Sequence, residues 1–305
     1  MEWLFWLSIL FIGYTFVGYP LMLYVLVKVK NKSETEASDH SYNKPISIII
    51  VVCNESQYIA EKIQNIFNLA YPQELIKLII VDDASDDNTV NIIESFSDDR
   101  IQLLQQSQRS GKAAGLNKAF DHAHTELTLL LDARQSISEN AISDLASWFS
   151  NKKVMAVSGE VKFGSEAGAE SGMDAYQVYE RFIRKSEAQV FSVPGVSGAI
   201  YMLRSSAFCP IPKDTILDDV LIPMAASKKG GYVGFDERVI AWDIPSDDWQ
   251  RERKRKTRTL NGNYQLLFRN LSWCTPFGHS NWFAFFSHKV SRLLAPLAML
   301  AALSS

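Results

Sequence analysis

The run PISIIIVVCNES at residues 45–56, followed by LIIVDDASDD at 78–87 and LTLLLDARQ at 127–135, decides the fold. In each, a nearly continuous β-branched or leucine-rich core gives way to polar and acidic residues. A strand with one wet face alternates apolar with polar side chains, so runs like these imply strands buried on both faces, in a mostly parallel sheet covered by helices. Apolar runs at 46–52, 78–81, 101–104 and 127–131 are separated by stretches at 56–69, 88–96 and 112–122 whose spacing predicts helices. The result is an α/β, doubly wound sheet, a design that binds ligands beyond the carboxyl ends of its strands. Asn54, Glu55, Asp82, Asp83, Asp132 and Arg134 stand at those ends. No Gly-x-Gly-x-x-Gly follows the first strand and no Gly-x-x-x-x-Gly-Lys-Ser/Thr occurs, so neither a dinucleotide fingerprint nor a P-loop is present. Carboxylates stand in their place; such groups accept hydrogen bonds from a base or ribose, or bind a hard divalent cation that neutralises a diphosphate.

The chain has 305 residues, 47% hydrophobic and 21% charged, which excludes a disordered or collagen-like chain, and its length sets a prior of about two structural units. Thirty-one Lys and Arg against thirty-four Asp and Glu, a net charge of -3, argue against a nucleic-acid binder. Cys53, Cys209 and Cys274 form neither a disulfide framework nor a zinc motif and fit a reducing compartment.

Residues 3–27 carry no charge, and 25 residues at about 1.5 Å each span the roughly 30 Å hydrocarbon layer. Glu2 precedes this run and Lys28, Lys30 and Lys32 follow it, the reverse of a secretory signal, so residues 1–30 are expected to be a transmembrane anchor. The positive flank places the rest of the chain in the cytoplasm, at the inner or plasma membrane. Residues 31–44 are polar and read as a linker. Within 271–305, apolar runs at 282–286 and 293–303 surround His288, Lys289 and Arg292. This segment is either an interfacial helix or the start of a further spanning helix.

SIIIVVCNES (47–56), VDDASDD (81–87), SGKAAGLNKA (110–119), LLLDARQ (129–135), VSGAIYMLR (196–204) and LDDV (217–220) occur in an order and at a spacing that resemble family 2 glycosyltransferases with the GT-A fold. The resemblance covers about 45–267. With the tail ERKRKTRTLNGNYQLL (252–267) and the membrane helices it is similar to the membrane-bound bacterial branch that builds envelope or extracellular polysaccharides. It implies a GT-A domain over 45–270, divided into a nucleotide-sugar half (45–135) and an acceptor half (136–270).

Residue by residue, the resemblance implies that Asn54 and Glu55 meet the base and ribose and that the Asp82–Asp83 pair, Asp83 above all, holds the uracil or ribose. Without it, Asn54 or Ser56 would cap a helix and the Asp-rich stretch would be a turn. Lys112 opens a helix, where the macrodipole disfavours a cation; a contact to the nucleotide or its phosphates accounts for that, and simple solvation is the other reading. Asp132 matches the metal ligand of the family's Asp-x-Asp, implying Mg2+ or Mn2+, but Arg134 replaces the second acid. A fixed guanidinium there could bind phosphate bidentately. Asp219, with Asp218 beside it, matches the family's base, which takes the proton from the acceptor hydroxyl; their other reading is a helix cap and a dipole partner. Ser197, Gly198 and Ala199 would let a sugar approach backbone closely.

Within the basic run Arg251, Arg253, Lys254, Arg255, Lys256 and Arg258, an alignment starting at Glu252 implies Arg255, with Lys256 beside it where the family has Trp, as diphosphate-binding residues. A start at Gln250 would make it Arg253. Such a run is otherwise a solvated or headgroup-facing surface. On the helix expected at 173–190, Glu180 stands four residues from both Tyr176 and Arg184 and reads as part of a salt-bridged surface. The five histidines show no metal spacing.

The sequence therefore implies an inverting transferase moving sugar from a nucleotide-sugar, UDP-linked, to a lipid-linked or polysaccharide acceptor. The rivals are an inactive scaffold that partners a polysaccharide synthase, permitted by the incomplete Asp-x-Asp, and a receiver-like signalling module.

Overall fold

The computed structural model describes residues 2–30, 42–164, 175–243 and 249–305, without the Arg251 side chain. Most of the expected linker, 31–41, lies outside the described residues, as does the start of the helix expected at 173–190. Four strands follow the sequence reading: β1 (Ile46–Val52), β2 (Ile76–Asp82), β3 (Ile101–Gln105) and β4 (Leu127–Leu131). Helices Ile59–Phe67, Thr89–Ser95 and Lys112–Phe120 separate them, each shorter than its apolar periodicity suggested. The first begins at Ile59 because 54–58 are spent on turns, and neither Asn54 nor Ser56 caps it; its N-cap is Tyr58, which makes no side-chain cap.

One eight-stranded sheet runs through both halves in the order β3-β2-β1-β4-β7-β6-β8-β5, with β5 (Ser136–Ile137), β6 (Val154–Phe163), β7 (Ile200–Arg204) and β8 (Tyr232–Asp243) completing it. β3, β2, β1 and β4 are mutually parallel. β7 runs antiparallel to both β4 and β6, which makes the sheet mixed beyond β4. Ile46, Ile48, Ile50, Leu127 and Leu129 pack beneath one face of the sheet, and Ile49, Ile79, Val81 and Leu130 beneath the other. Burial on both faces is what the nearly continuous apolar runs required. Chain order reverses between β1 and β4, so the crevice for a ligand opens beyond Val52 and Leu131.

The helix Glu2–Val29 is long and apolar enough to cross a membrane, and Trp3, Leu7, Leu10, Val17 and Leu21 on it are exposed. The C-terminal helix, residues 282–304, packs along its first half and leaves Leu297, Leu300 and Leu303 exposed. An exposed apolar surface of this extent suits lipid. The two helices are thus bundled, an arrangement the sequence left open.

Candidate active site

Asp132 directly follows β4, and its backbone N–H donates to Ala199 O at 3.4 Å, which brings the 197–199 segment against it. Val196 N–H donates to Asp219 O at 2.9 Å, and Ser197 N–H to Ser158 Oγ at 2.9 Å, fixing the same segment from two other sides. A Cβ built on Gly198 would sit 3.7 Å from Asp132 Oδ2 and 3.7 Å from Asp219 Oδ2. Two acids 87 positions apart therefore meet over one glycine. They border a cavity of about 450 Å3 together with Lys112, Asp218 and the 197–199 segment.

Lys112 is the first residue of helix Lys112–Phe120, behind Gly111, whose φ of +86° lets the chain turn into the helix. Its Nζ lies 2.8 Å from Asp132 Oδ1 and 3.5 Å from Asp218 Oδ2. Burial works against the ammonium, but Asp132, Asp218 and Asp219 outweigh it and push its pKa well up. The unfavourable place at a helix start is thus explained by carboxylates of the chain itself.

Asp218 opens helix Asp218–Ser227 and is 4% exposed, with Oδ2 accepting no hydrogen bond. The N-cap is Leu217, so neither acid caps this helix through its side chain. Burial, then Asp218, push the Asp219 carboxyl up to about 6, while Lys112 and Lys289 oppose the rise. Tyr201 on β7 is buried near these acids, and its hydroxyl has no partner among the described residues.

The 249–269 helix brings cations to the same cavity. Gly262 permits it: a Cβ there would lie 2.6 Å from Leu217 Cγ and 2.8 Å from Ile216 Cγ2. Gln265 Oε1 accepts from Ile216 N at 3.0 Å and Arg269 pairs with Asp214, locking helix to loop. Arg255 and Arg258 consequently line the cavity. Arg255 also pairs with Glu252 at 3.0 Å, and Lys256 stands 3.7 Å from that same Glu, 74% exposed and away from the lining. The Glu252 alignment thus places its Arg at the cavity, whereas Arg253 is not among the lining residues.

The other residues expected to hold the nucleotide form a separate cluster outside that lining. Glu55 is clamped by Arg134, whose Nε and Nη2 donate to Glu55 Oε1 at 3.1 and 3.0 Å. Arg134 thus serves a carboxylate of the chain, and its guanidinium lies over Tyr58. Asn54, at φ +58°, exchanges hydrogen bonds with Asp86, giving from Nδ2 at 2.6 Å and accepting on Oδ1 at 2.9 Å. Asp82 takes the bland role and accepts from Ser85 N–H within its turn. Asp83 uses both oxygens to hold the following loop, accepting from Ser110 N, Gln106 Nε2 and Gly111 N at 2.7, 2.9 and 2.9 Å. Asp83 therefore orders the turn that presents Lys112.

Several cavity residues escaped the sequence reading. Glu160, on β6, is 5% exposed, pairs with Arg181 at 3.1 Å and leaves Oε2 without a partner among the described residues; burial pushes its pKa up. A Glu amid the strand VMAVSGEVKF was the available signal, since acids are depleted there. On helix Ala175–Val190, Tyr176, Glu180, Arg181 and Arg184 also face the cavity. The expected Glu180–Arg184 surface pair does not form, because Glu180 is taken by Arg292 and by His288 Nε2 at 3.3 Å. His288 Nδ1 lies 2.9 Å from Glu187 Oε1, to which the Tyr19 hydroxyl donates at 2.7 Å. A buried polar chain thus joins the cavity to the N-terminal helix.

Lys62 supports the β4 end from behind. It is 2% exposed, its Nζ donates to Gln135 O at 2.7 Å, and burial pushes its pKa down to about 7.

Comparison with known proteins gives this geometry a context. The profile of a family described as Glycosyl transferase family 2 matches residues 47–208, more than half of the chain. A poly-beta-1,6-N-acetyl-D-glucosamine synthase of Staphylococcus epidermidis is 23% identical over 269 residues, covering 86% of this chain and 65% of that protein. The protein of that name in Staphylococcus aureus strain COL is 21% identical over 74% of this chain and 56% of its own length. The chain spans less than two thirds of the length of these curated relatives. Among solved structures, the mannosyltransferase PcManGT from Pyrobaculum calidifontis, in complex with GDP-Man and Mn2+, superposes with a TM-score of 0.78 at 20% identity, covering 99% of this chain and 85% of that one. S. aureus TarS in complex with UDP-GlcNAc gives 0.50 at 16% identity, over 67% and 60%. These structures show the GT-A fold.

Proposed function

Because the chain belongs to glycosyl transferase family 2, we propose that it is an inverting transferase that moves a sugar from a UDP-sugar to a saccharide acceptor at the cytoplasmic face of a membrane. The observation that carries this reading is the meeting of Asp132 and Asp219 over Gly198, each 3.7 Å from the same point. One cavity then holds a donor-side carboxylate, a candidate base and an open glycine floor.

Asp219, with its pKa pushed up to about 6, is suited to take a proton near neutral pH. The acceptor oxygen loses its proton to Asp219 and attacks the anomeric carbon as the bond to the diphosphate oxygen breaks. Direct displacement inverts the anomeric configuration. Arg255 and Arg258 face the charge that develops on the leaving diphosphate, with Lys112 across the cavity. Asp83, through Ser110 and Gly111, holds the loop that carries Lys112, and on this reading the exposed Asn54 and the part-buried Glu55 beside it meet the base and ribose, with Asp82 holding the turn behind them. On this reading Arg134 leaves Glu55 for phosphate only when donor arrives.

A divalent cation fits this set in a restricted way. Among the described residues no group of three or more His, Cys, Asp or Glu could hold a metal. Mg2+ and Mn2+ sites built on one carboxylate plus substrate phosphates are common, however, and Asp132 keeps Oδ2 toward the cavity while Oδ1 meets Lys112. Asp132 would hold the ion together with donor phosphate, and the ion would add positive charge beside the leaving group.

Relatives that are named polysaccharide synthases, and two apolar helices bundled beside the cavity, support an acceptor that stays at the membrane. The test is nucleoside diphosphate release by the purified chain with Mn2+, a membrane extract, and in turn UDP-GlcNAc, UDP-Glc, UDP-Gal and GDP-Man. UDP release from at least one UDP-sugar, lowered about 100-fold or more by Asp219→Asn, is expected. Equal release by the variant, or no release from any UDP-sugar, sinks the reading.

A further inference from the structure

On the wall beyond Asp219, most cations are matched. Arg181 pairs with Glu160 at 3.1 Å and Glu237 at 3.3 Å, Lys185 pairs with Glu237 at 2.6 Å, and Arg292 pairs with Glu180. Arg184 and Lys289 differ: among the described residues neither makes an ion pair or a hydrogen bond. Arg184 lines the cavity, and its charge acts on Lys289. Lys289 Cε lies 3.7 Å from where a Cβ on Gly195 would sit, and that point is 3.7 Å from Asp219 O. Along the 195–198 segment, Gly198 thus marks the Asp132 side of Asp219 and Gly195 marks the Lys289 side. Asp219, Glu180 and Glu187 act on Lys289 only from beyond ion-pair distance, so two like charges stay together, part-buried, with no direct counter-ion contact among the described residues, and an anion between them relieves it.

We propose that Arg184 and Lys289 form a subsite for the phosphate of a lipid-linked saccharide acceptor, across Asp219 from the donor's diphosphate. This rests on the transferase reading and names its acceptor class. A phosphodiester or diphosphate stays ionised at neutral pH, and its several oxygens suit a planar guanidinium with a neighbouring ammonium. The lipid follows from where the pair is mounted. Arg184 is on helix 175–190, which packs on the second half of helix 2–29, and Lys289 is on helix 282–304, which packs on the first half. Both helices belong to the apolar bundle, so a phosphate held there leads its hydrocarbon tail along exposed Leu297 and Leu300. The sugar next to the phosphate then lies over the 195–198 backbone with a hydroxyl toward Asp219.

The experiment is a binding measurement on the full chain in neutral detergent without donor, so that it stands whether or not turnover is seen. The probes are geranyl-diphospho-N-acetylglucosamine and the neutral octyl N-acetylglucosaminide, with phosphatidylglycerol and inorganic pyrophosphate as competitors. The wild type is expected to prefer the diphospho probe about tenfold or more at low salt, with the preference shrinking as salt rises. In Arg184→Gln/Lys289→Gln the preference falls to about twofold. Equal binding of both probes by the wild type overturns the proposal, as does a preference retained in the double variant. Full displacement by phosphatidylglycerol, or by pyrophosphate at equal concentration, also overturns it, since the site would then read a bare headgroup or a free anion. Should the double variant not fold, the single variants Arg184→Gln and Lys289→Gln are each expected to lose about threefold of the preference, and a preference unchanged in both overturns the proposal.

Discussion

Lys112 Nζ stands 2.8 Å from Asp132 Oδ1 and 3.5 Å from Asp218 Oδ2, so one ammonium joins the end of β4 to the helix that carries the candidate base. Without it three carboxylates would share a cavity with no matched charge on their own side. Lys112 also lowers the pKa of Asp219, against burial and Asp218. In Lys112→Met that pKa therefore rises, and the acid limb of the kcat/KM–pH profile moves to higher pH by about one unit. An unmoved limb in a folded, active variant refutes the coupling.

Asp219 should cost stability in exchange for its role. A carboxyl raised to about 6 binds more protons folded than unfolded between about pH 4 and 6. Its contribution thus falls as pH rises through that window and stays unfavourable at neutral pH. Asp219→Asn removes the charge at constant shape, so at pH 7.5 the inactive variant should be more stable by about 1–2 kcal/mol, allowing for solvent screening in the cavity. Denaturant unfolding in detergent measures it, and a variant less stable than wild type contradicts the expectation.

Lys62 carries the opposite pH signature. Its folded-state pKa near 7 lies below the unfolded value, so between about pH 7 and 10 the unfolded chain binds the extra proton and stability rises with pH. Lys62→Met should flatten this slope, by about 2–4 kcal/mol across the window. Unfolding series at pH 7, 8, 9 and 10 on both proteins make the comparison, and parallel curves would show that Lys62 is not the source.

Gly115 sets how closely the helix of Lys112 lies on β1. A Cβ there would fall 2.6 Å from Val51 Cγ1 and 3.1 Å from Cγ2. Gly115→Ala should destabilise by about 1–3 kcal/mol and lower activity by shifting Lys112. Val51→Ala in the same chain opens the space, so the double variant should recover activity relative to Gly115→Ala alone, as donor turnover would show.

Much of the first half was legible because its physics is local. Runs such as 46–52 and 127–131 are buried on both faces and look so in one dimension. Asp132 and Asp219 could be named from their motifs, but their meeting over Gly198 depends on β7 reversing direction, which no local pattern records. Sequence shows the charge of Arg134 without its partner, and so points it at phosphate; Glu55, 79 positions earlier, claims it. Glu180 was paired with Arg184 by helical spacing, whereas Arg292, 112 positions away, makes the stronger competitor. Side chains at element ends are where distant partners outbid near ones.

The tie from Tyr19 to Glu187 and on through His288 to Glu180 bears on how this protein can be handled at the bench. Glu187 is fully buried, and Lys30 Nζ additionally donates to Val190 O at 2.9 Å. A trimmed version beginning after residue 30 would strip one partner from an enclosed carboxylate and uncover the back of a helix whose front borders the reaction chamber. The N-terminal segment therefore braces the helix that borders the cavity, and a fragment made by deleting it would be a poor stand-in for kinetics.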